Sequence, residues 1–390
     1  MMDALQGLRV VDFSKVLAGP LCTQYLGDMG AEIIKVESPL GDDTRRWPPF
    51  HKGEGTVFLS VNRNKRSILL DLKSEASRDV VQRLLKTADI VVESFGPGVP
   101  ERLGIDYDSV AALRPDVIYC SITGFGTQGP LREGKGYDVI LQAYSGMLAL
   151  TGEETGPPAR SPISPIDQAT GMHAAMGIVS AVVKRLRTGQ GMRIDASLFD
   201  TSLAFMAYVM QSYWERGTDP KRWGSAHESL CPYQVFDTRD HPILLGVAND
   251  ALWQTFCRVV NDTGLAQDPR YETNAGRVSH REQVLKAVGA HMVHETRDAW
   301  MEKLSRAGIP CAPILSISEV LAHPHTLASG MIQHLPFAGG ELNTVSQPLR
   351  FDGERSMAQY PPPTLGEHTE TILASLGYEP EQIRQITSGA

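Results

Sequence analysis

Short apolar runs alternate with longer amphipathic segments along the first third of the chain. Strands are predicted at Leu8–Phe13, Ala31–Val36, Ser67–Leu72, Asp89–Glu93 and Asp116–Thr123. Helices are predicted between them at Leu21–Gly30, which ends in a glycine, and at Glu75–Ala88. This spacing is typical of a parallel sheet that is doubly wound, with helices on both faces. We therefore predict an α/β fold whose ligands bind beyond the carboxyl ends of the strands.

The pattern changes after that first third. A small-residue helix is predicted from Asp167 to about Arg187, and a long apolar helix at Ser197–Trp214. From Pro232 the chain reads as a hairpin followed by three helices, which is typical of a smaller α+β module. The predicted organisation is a large domain at 1–200, a linker at 201–224, a small α+β domain at 225–325, and a segment at 326–390 that returns to the large domain.

Two loops after predicted strands have the small residues that let a ligand approach the main chain. Val16–Pro20 follows the first strand, and Ser94–Gly98 follows the strand that ends at Glu93. The first loop lacks the GxGxxG pattern, which argues against a dinucleotide fingerprint there. A ligand other than a dinucleotide is therefore expected at this edge of the sheet.

The charge of the chain limits its partners. The formal net charge of −8 over 390 residues argues against nucleic-acid and membrane-surface binding, because both need a basic face. A local basic patch at Arg63, Lys65 and Arg66, with Lys73 shortly after, would still hold one anionic ligand.

The cysteine pattern indicates a reducing compartment, and the apolar segments do not indicate a membrane span. Five scattered cysteines without a CxxC pair suggest neither a disulfide framework nor a zinc site, and we predict no metal. The first residues have no long apolar stretch or Arg-rich amphipathic segment, and no unbroken apolar run reaches membrane-spanning length. We expect a cytoplasmic, enzyme-like protein.

Asp167 is the only carboxylate between Ser161 and Val183, and it lies where a proline-rich loop turns into the small-residue helix. An aspartate at a helix start is ionised by default, because free N–H groups and the positive end of the helix dipole favour the carboxylate. Such a group is either a simple helix cap or a nucleophile. The helix position alone does not choose between them.

Several segments occur together and in order along the chain. They are DFSKVLAGP (12–20), GDMGAEIIKVE (27–37), GDDTR (41–45), NRNKRS (62–67), ERLG (101–104), SITGFGTQGP (121–130), GYD (136–138), Asp167 with Thr170 and Gly171, and LGEHT (365–369). As a set they resemble the class III CoA-transferases, the formyl-CoA and carnitine CoA-transferase family. The resemblance covers nearly the whole chain.

The resemblance implies that coenzyme A passes from an acyl-CoA donor to a carboxylic acid, with Asp167 as the nucleophile. The carboxylate would form a mixed anhydride with the donor acyl group and then an enzyme-CoA thioester. An anhydride suits this chemistry because it retains the energy of the thioester. No cofactor would be bound permanently, since CoA arrives with the donor and leaves with the product.

The resemblance also implies which residues hold CoA. Lys73, Arg102 and Lys135 would meet the phosphates, although each is equally an ordinary surface cation. The other implied contacts are the adenine position at Ser38, the main chain of Leu17, Ala18, Leu70, Asp71, Leu72 and Lys73, and the pantetheine path along Ser94, Phe95, Gly96, Gly136, Tyr137 and Asp138.

The chain departs from the formyl-CoA transferases, which carry Gln, Arg and Asn where Leu17, Ser38 and Ser94 stand. Their glycine-rich loop is also missing, and Lys221–His227 stands in its place. That segment resembles family members that act on dicarboxylic acids, which favours succinyl-CoA as donor and a diacid as acceptor. The cations that would bind the second carboxylate, or else form linker and dimer contacts, are Arg46, Arg222 and His227.

Three other functions remain open. A 2-methylacyl-CoA racemase would move an α-proton with an Asp and a His, but Tyr137 stands at the position of that His, and tyrosine is a poor base at neutral pH. A formyl-CoA:oxalate-type transferase and a non-catalytic CoA-binding protein are the others.

The resemblance finally implies an architecture. It is a homodimer of two interlocked rings, each chain with a Rossmann-like large domain and a smaller α+β domain. The apolar helix at Ser197–Trp214 fits a dimer, because a lone chain would leave it exposed.

Overall fold

The computed structural model describes residues 3–388, which form two compact units. The first contains the residues up to Leu148, Ser161–Thr218, and those from His325 onward, and the second contains Ala149–Arg160 and Asp219–Pro324. The strands are β1 (Arg9–Asp12), β2 (Glu32–Glu37), β3 (Phe50–His51), β4 (Glu54–Gly55), β5 (Lys65–Leu69), β6 (Ile90–Glu93), β7 (Ile118–Thr123), β8 (Met192–Ser197), β9 (Tyr233–Phe236), β10 (Ile243–Gly246), β11 (Cys311–Pro313), β12 (Ile332–Phe337), β13 (Gly340–Val345), β14 (Arg350–Phe351) and β15 (Glu354–Arg355).

Helices connect and flank these strands, with one 3₁₀ turn at Asp43–Arg46. The α-helices are α1 (Ala18–Asp28), α2 (Thr56–Ser60), α3 (Glu75–Thr87), α4 (Val99–Leu103), α5 (Tyr107–Leu113), α6 (Asp138–Tyr144), α7 (Met147–Leu150), α8 (Pro165–Thr188), α9 (Leu198–Phe205), α10 (Ala207–Arg216), α11 (Asp250–Val259), α12 (Thr263–Gln267), α13 (Asn274–Ser279), α14 (Arg281–Met292), α15 (Arg297–Arg306), α16 (Ile317–Ala322), α17 (Pro324–Ser329), α18 (Thr369–Ser375) and α19 (Pro380–Ser388).

A six-stranded parallel sheet organises the first unit. Its strand order is β5-β2-β1-β6-β7-β8, and each neighbouring pair runs parallel. Along the chain these strands follow the order 3-2-1-4-5-6, which is that of doubly wound nucleotide-binding sheets. The order reverses between β1 and β6, so the loops that follow those two strands diverge and leave a crevice.

Helices cover both faces of this sheet, and successive residues of each strand supply the two cores. In β1, Val10 packs in the core formed with α1 and α8, whereas Val11 packs in the core formed with α3 and α5. Ile33 and Ile34 of β2 divide in the same way. Because successive strand residues point to opposite faces, strands covered on both sides need nearly continuous apolar runs. The predicted α/β fold with a parallel central sheet is confirmed.

The chain returns to the large unit and covers the sheet edge at β5. The His368 N–H donates to the carbonyl oxygen of Ser67 at 2.9 Å, and the Leu69 N–H donates to the Thr369 hydroxyl at 3.0 Å. An uncovered edge strand would expose a row of unpaired main-chain groups. The LGEHT segment therefore protects this edge.

The apolar helix predicted at Ser197–Trp214 is two helices, α9 and α10. The backbone leaves the helical conformation at Met206, where ψ is 4°. Residues predicted as a linker, 201–224, are therefore helical as far as Arg216, and residues 149–160 belong to the second unit.

The second unit combines a small antiparallel sheet with helices α11 to α15. Its strand order is β11-β10-β9, with Phe236 opposite Ile243 in the predicted hairpin. Buried Arg277 donates to the carbonyl oxygen of Cys231 at 2.9 Å and pairs with Asp250 at 2.9 Å, which ties the helices to the sheet.

Within residues 3–388, no helix combines the length and apolar character needed to cross a bilayer. The same residues contain no group of three or more His, Cys, Asp or Glu side chains arranged to hold a metal ion.

Candidate active site

A cavity of about 870 Å³ opens in the first unit at the carboxyl ends of β1, β6 and β7. Its walls are the loop Lys15–Leu17 with the start of α1, the loop Ser94–Gly98, and residues between Thr123 and Tyr137. These segments flank the point between β1 and β6 where the strand order reverses. Open α/β sheets bind their ligands at such a point.

Asp167 lines this cavity from the first turn of α8. Its side chain is half-buried, and the helix begins after Ser164, whose side chain forms no cap. Gly171 lies one turn further on, where a Cβ atom would stand 2.6 Å from the carbonyl oxygen of Ala18. Glycine at this position therefore lets α8 pack closely against the start of α1.

The start of α8 is capped by Asp138, which belongs to α6. Asp138 Oδ2 accepts hydrogen bonds from the N–H groups of Ile166 at 2.8 Å and Asp167 at 3.1 Å. Asp138 Oδ1 accepts from Gln142 Nε2 at 2.5 Å, and Gln142 in turn accepts from the Ser161 N–H at 3.0 Å. The N–H groups that a helix start would offer to Asp167 are therefore bonded to another carboxylate.

Two touching glycines bring Asp138 to this place. A Cβ atom on Gly136 would lie 2.4 Å from the Cα atom of Gly124, and one on Gly124 would lie 2.6 Å from the Cα atom of Gly136. Any side chain at either position would push the two backbones apart. The contact explains why the SITGFG and GYD segments of the sequence both need glycine.

Burial, and then the charge of Asp138, raise the pKa of Asp167 to about 7. A buried carboxyl loses hydration, and a neighbouring like charge disfavours its ionised form. The expectation that Asp167 is ionised by default is therefore wrong, because a carboxyl with this pKa is partly neutral at pH 7. The ionised fraction is a more basic carboxylate than one in water.

The loop after β1 is held in a strained conformation at the cavity wall. Val16 has φ of 71°, a region that costs a β-branched residue on the order of 1–3 kcal/mol. Its N–H donates to both oxygens of Asp42, at 3.3 and 3.2 Å, and the Lys15 N–H donates to Ser94 Oγ at 3.0 Å. Helix α1 then begins at Ala18 without a side-chain cap.

Buried ion pairs lie beneath this loop. Lys35 pairs with Asp42 at 3.1 Å and also donates to the carbonyl oxygen of Ser14 at 2.9 Å. Lys65 pairs with Asp12 at 3.2 Å. Burial lowers the pKa of Lys65 to about 8, against the opposing pull of Asp12. Lys35 and Asp42 hydrogen-bond to the main chain of the loop that follows β1 and so hold that loop in place.

The comparison with known proteins decides the family. A family model described as CoA-transferase family III matches residues 5–369. The chain belongs to CoA-transferase family III. Succinyl-CoA:glutarate CoA-transferase of Mus musculus is 38% identical over 99% of this chain and 89% of that protein. Acetyl-CoA:oxalate CoA-transferase of Acetobacter aceti is 38% identical over 84% of both chains. A solved CAIB/BAIF family protein from Brucella suis matches with a TM-score of 0.85 and 37% identity over 95% of this chain and 99% of that one.

Eight of the fifteen residues predicted to bind CoA in this family III CoA-transferase line the cavity with Asp167. They are Leu17, Ala18, Ser94, Phe95, Gly96, Lys135, Gly136 and Tyr137. The predicted residues that lie outside it are Ser38, Leu70, Asp71, Leu72, Lys73, Arg102 and Asp138.

Burial explains part of this difference. Leu70 packs in the sheet core, and Asp138 is buried with its carboxylate bonded to α8, so neither side chain lines the cavity. Ser38 and Lys73 follow β2 and β5 at the same edge of the sheet, and Arg102 is exposed on α4.

The basic patch predicted at Arg63, Lys65 and Arg66 does not offer free cations. Arg63 pairs with Asp28 at 2.5 Å and Arg66 pairs with Glu32 at 2.7 Å, while Lys65 is the buried partner of Asp12. Each cation is matched by a carboxylate from another segment. These three residues therefore stabilise the fold, and of the predicted patch only Lys73 remains a candidate for binding an anionic ligand.

The cations predicted for the second carboxylate of an acceptor also have local partners. Arg46 pairs with Asp43 at 2.7 Å and is exposed outside the cavity. Arg222 donates to four carbonyl oxygens of the second unit, including that of Gly156 at 2.6 Å. His227 Nδ1 accepts from the Ser229 N–H at 3.0 Å. Arg222 thus holds the main chain of this segment, which corrects the prediction that it binds the second carboxylate of an acceptor.

The cavity contains functional candidates that the sequence did not assign. Lys15 is half-buried in the cavity wall and has no ion pair among the described residues. Glu93 is buried at the end of β6, where burial raises its pKa and the Phe95 N–H donates to it at 2.8 Å. Both residues could have been found from the sequence. Each is a polar residue at the end of an apolar strand or shortly after it, on the edge of the sheet where ligands bind.

Proposed function

We propose that this enzyme moves coenzyme A from succinyl-CoA to a dicarboxylic acid, with Asp167 as the covalent nucleophile. The observation that carries the proposal is the position of the Asp167 carboxylate, in the cavity at the reversal point of the parallel sheet. Family membership supports the reaction class, and a relative named for succinyl-CoA and glutarate supports the donor and acceptor.

In the first half-reaction, ionised Asp167 attacks the thioester carbonyl carbon of the donor. A C–O bond forms, the C–S bond breaks, and CoA leaves as a thiolate with the bonding pair. The thiolate then attacks the Asp167 carbonyl of the anhydride, and succinate leaves. The acceptor carboxylate runs these steps in reverse and departs as its CoA ester. Every step exchanges one anion for another, so no oxidant or net proton is required.

The cavity provides cations and main-chain donors for this substrate. Lys135 and Arg132 line it and would meet the phosphates of CoA. The uncapped start of α1 at Ala18 would donate N–H groups to the oxyanion that develops on the thioester. Ser38 and Lys73, at the same sheet edge, remain proposed contacts for the adenosine end.

A diacid acceptor follows from the use of one nucleophile in both half-reactions. The donor acid and the acceptor acid occupy the same pocket in turn, so a pocket that accepts a succinyl group accepts a second carboxylate. Relatives named for glutarate and for oxalate are equally identical to this chain, so overall identity does not choose between them. The Lys221–His227 segment, in place of a glycine-rich loop, favours the longer acid.

The racemase alternative lacks the histidine that it would need in this cavity. None of the described residues that line it is a histidine, and Tyr137 occupies the position where a racemase would carry one. His173, further along α8, is exposed and lies outside the cavity.

A covalent adduct tests the nucleophile directly. The enzyme is incubated with succinyl-CoA, digested, and the peptide that contains Asp167 is analysed by mass spectrometry. We expect a CoA thioester on Asp167, its removal by hydroxylamine, and no adduct in Asp167→Asn. The matched control is Asp200→Asn, which changes a carboxylate near the start of α9 outside the cavity and should keep the adduct. Full turnover in Asp167→Asn would refute the mechanism.

A panel of acceptor acids tests the substrate. With succinyl-CoA as donor, we expect glutarate and other diacids of four to six carbons to give CoA esters faster than oxalate, formate or butyrate. Preference for oxalate would move the assignment to the oxalate-type transferases.

A further inference from the structure

We propose that Asp138 activates Asp167: it holds the main chain of the nucleophile in place and keeps a second negative charge beside its carboxylate. The inference rests on the proposed function and extends it, because it names a residue that adds to the effect of burial on how the attack depends on pH. Asp138 does not touch the substrate and is a positioning residue.

The hydrogen bonds define the charge state of Asp138. Its two oxygens accept from three N–H donors, which belong to Ile166, Asp167 and the Gln142 side chain. Among the described residues these partners are all donors, which is the set of partners that a carboxylate accepts from. At 6% exposure, this charge is little screened by water.

This arrangement destabilises the ionised Asp167 carboxylate before attack, but it does not destabilise the covalent intermediates. The N–H groups at the helix start would stabilise an Asp167 anion, but they are bonded to Asp138, which adds a like charge instead. When Asp167 attacks, its charge passes to the leaving thiolate, and Asp167 is neutral in both the anhydride and the thioester. An interaction that destabilises only the ground-state anion lowers the barrier to attack. The raised pKa of Asp167 agrees with this repulsion.

Other charged groups share the cavity with Asp167. The cations are Lys15, Arg132, Lys135 and Arg193, and the acids are Asp43, Glu93, Glu101, Asp106, Asp108 and Glu133. Among all of these charges and Asp138, only Asp138 is hydrogen-bonded to the Asp167 main chain and acts on its ionisation. Its substitution is therefore the specific probe.

The test compares Asp138→Asn with Gln142→Leu. The asparagine keeps one oxygen for the two N–H groups of α8, removes the charge, and loses the Gln142 bond. The leucine loses that same bond, and also the bond from the Ser161 N–H, but keeps the charge. In Asp138→Asn we expect the acidic limb of kcat/KM to move about one pH unit lower and the rate at pH 8 to fall about tenfold. In Gln142→Leu we expect the limb to stay in place.

A second readout does not require activity. Between about pH 4 and 7 the folded protein keeps a proton on Asp167 that the unfolded chain has released, so stability falls with rising pH. Asp167→Asn abolishes that fall in stability. The difference in thermal midpoint between the unchanged protein and Asp167→Asn, followed across this pH range, measures the fall. We expect the difference to shrink in the Asp138→Asn background.

The outcomes separate this inference from the proposed function. An active enzyme whose pH limb and stability difference are both unchanged by Asp138→Asn overturns the inference. A protein without transfer activity whose stability difference does shrink overturns the proposed function and supports the coupling between the two carboxylates.

Discussion

At the scale of single residues, the ionisation of Asp167 should control activity. Burial, and then the charge of Asp138, raise its pKa to about 7, and only the anion attacks the thioester. We therefore expect kcat/KM for succinyl-CoA to rise with pH, with an acidic limb near 7 and a plateau above about 8. Steady-state rates from pH 5.5 to 9 measure this. A plateau that extends down to pH 5 would show an Asp167 that is ionised throughout.

Lys15 is expected to select the second carboxylate of the acids. It is a half-buried cation in the strained loop between β1 and α1, and it forms no ion pair with any described residue. A charged hydrogen bond of about 1.5–3 kcal/mol corresponds to roughly 10- to 100-fold in KM. Lys15→Met should raise the KM for glutarate by about that factor and leave butyrate unchanged, and Lys15→Arg should retain most of the affinity for glutarate.

The pattern of KM values distinguishes the two uses of this cation. A lysine that binds the CoA phosphates would raise the KM for every acyl-CoA, whichever acid is transferred. The KM values of succinyl-CoA and butyryl-CoA as donors are therefore measured alongside those of the acceptor acids. An equal rise in KM for both donors in Lys15→Met contradicts the assignment.

At the scale of elements, the loop between β1 and α1 depends on a buried carboxylate. Asp42 accepts from the main chain of Val16 and pairs with Lys35, and both charges are buried. Asp42→Asn removes the carboxylate that is hydrogen-bonded to buried Lys35, which should lower the free energy of unfolding by about 3–5 kcal/mol. The matched control is Asp43→Asn, an exposed neighbour, with a change of about 0.5 kcal/mol or less. Urea denaturation measures both, and equal losses would contradict the argument.

Most elements of the parallel sheet could be predicted because their signal is local. The strand predicted at Asp89–Glu93 is observed as Ile90–Glu93, and the helix predicted at Glu75–Ala88 is observed as Glu75–Thr87. Continuous apolar runs and amphipathic spacing are properties of adjacent residues. The break at Met206 was missed because an apolar segment continues on both sides of it.

The candidate site was predictable where residues follow a strand and unpredictable where it depends on distant pairs. Lys135 and Tyr137 line the cavity as expected, since they lie in the segment that follows β7. The charge on Asp167 was misjudged because its burial, and then the neighbouring charge of Asp138 from 29 residues away, arise from tertiary packing. The predicted cation Arg222 bonds to carbonyl oxygens more than 60 residues away. Pattern in a sequence does not show which groups tertiary packing brings together.

At the scale of the whole molecule, the first unit leaves large apolar side chains exposed on two helices. On α8, Met176 and Leu186 are 64% and 80% exposed, and on α10, Tyr208 and Trp214 are 73% and 67% exposed. Several large apolar side chains left this exposed are typical of an interface. We propose that a second copy of the chain covers it, and light scattering should give the mass of a dimer. Leu186→Glu with Trp214→Glu should shift that mass toward the monomer.

The interlocked form of the proposed dimer makes a sharper prediction than its mass. Two linked rings cannot separate without unfolding one of them, whereas an ordinary dimer exchanges subunits at the rate of its dissociation. We expect His-tagged and untagged dimers, mixed under native conditions for a day, to yield no mixed dimer by native mass spectrometry. The same mixture unfolded in urea and refolded together should yield about half mixed dimers, as random pairing requires. Mixed dimers that form without denaturant would show that the two chains associate through their surfaces and are not linked.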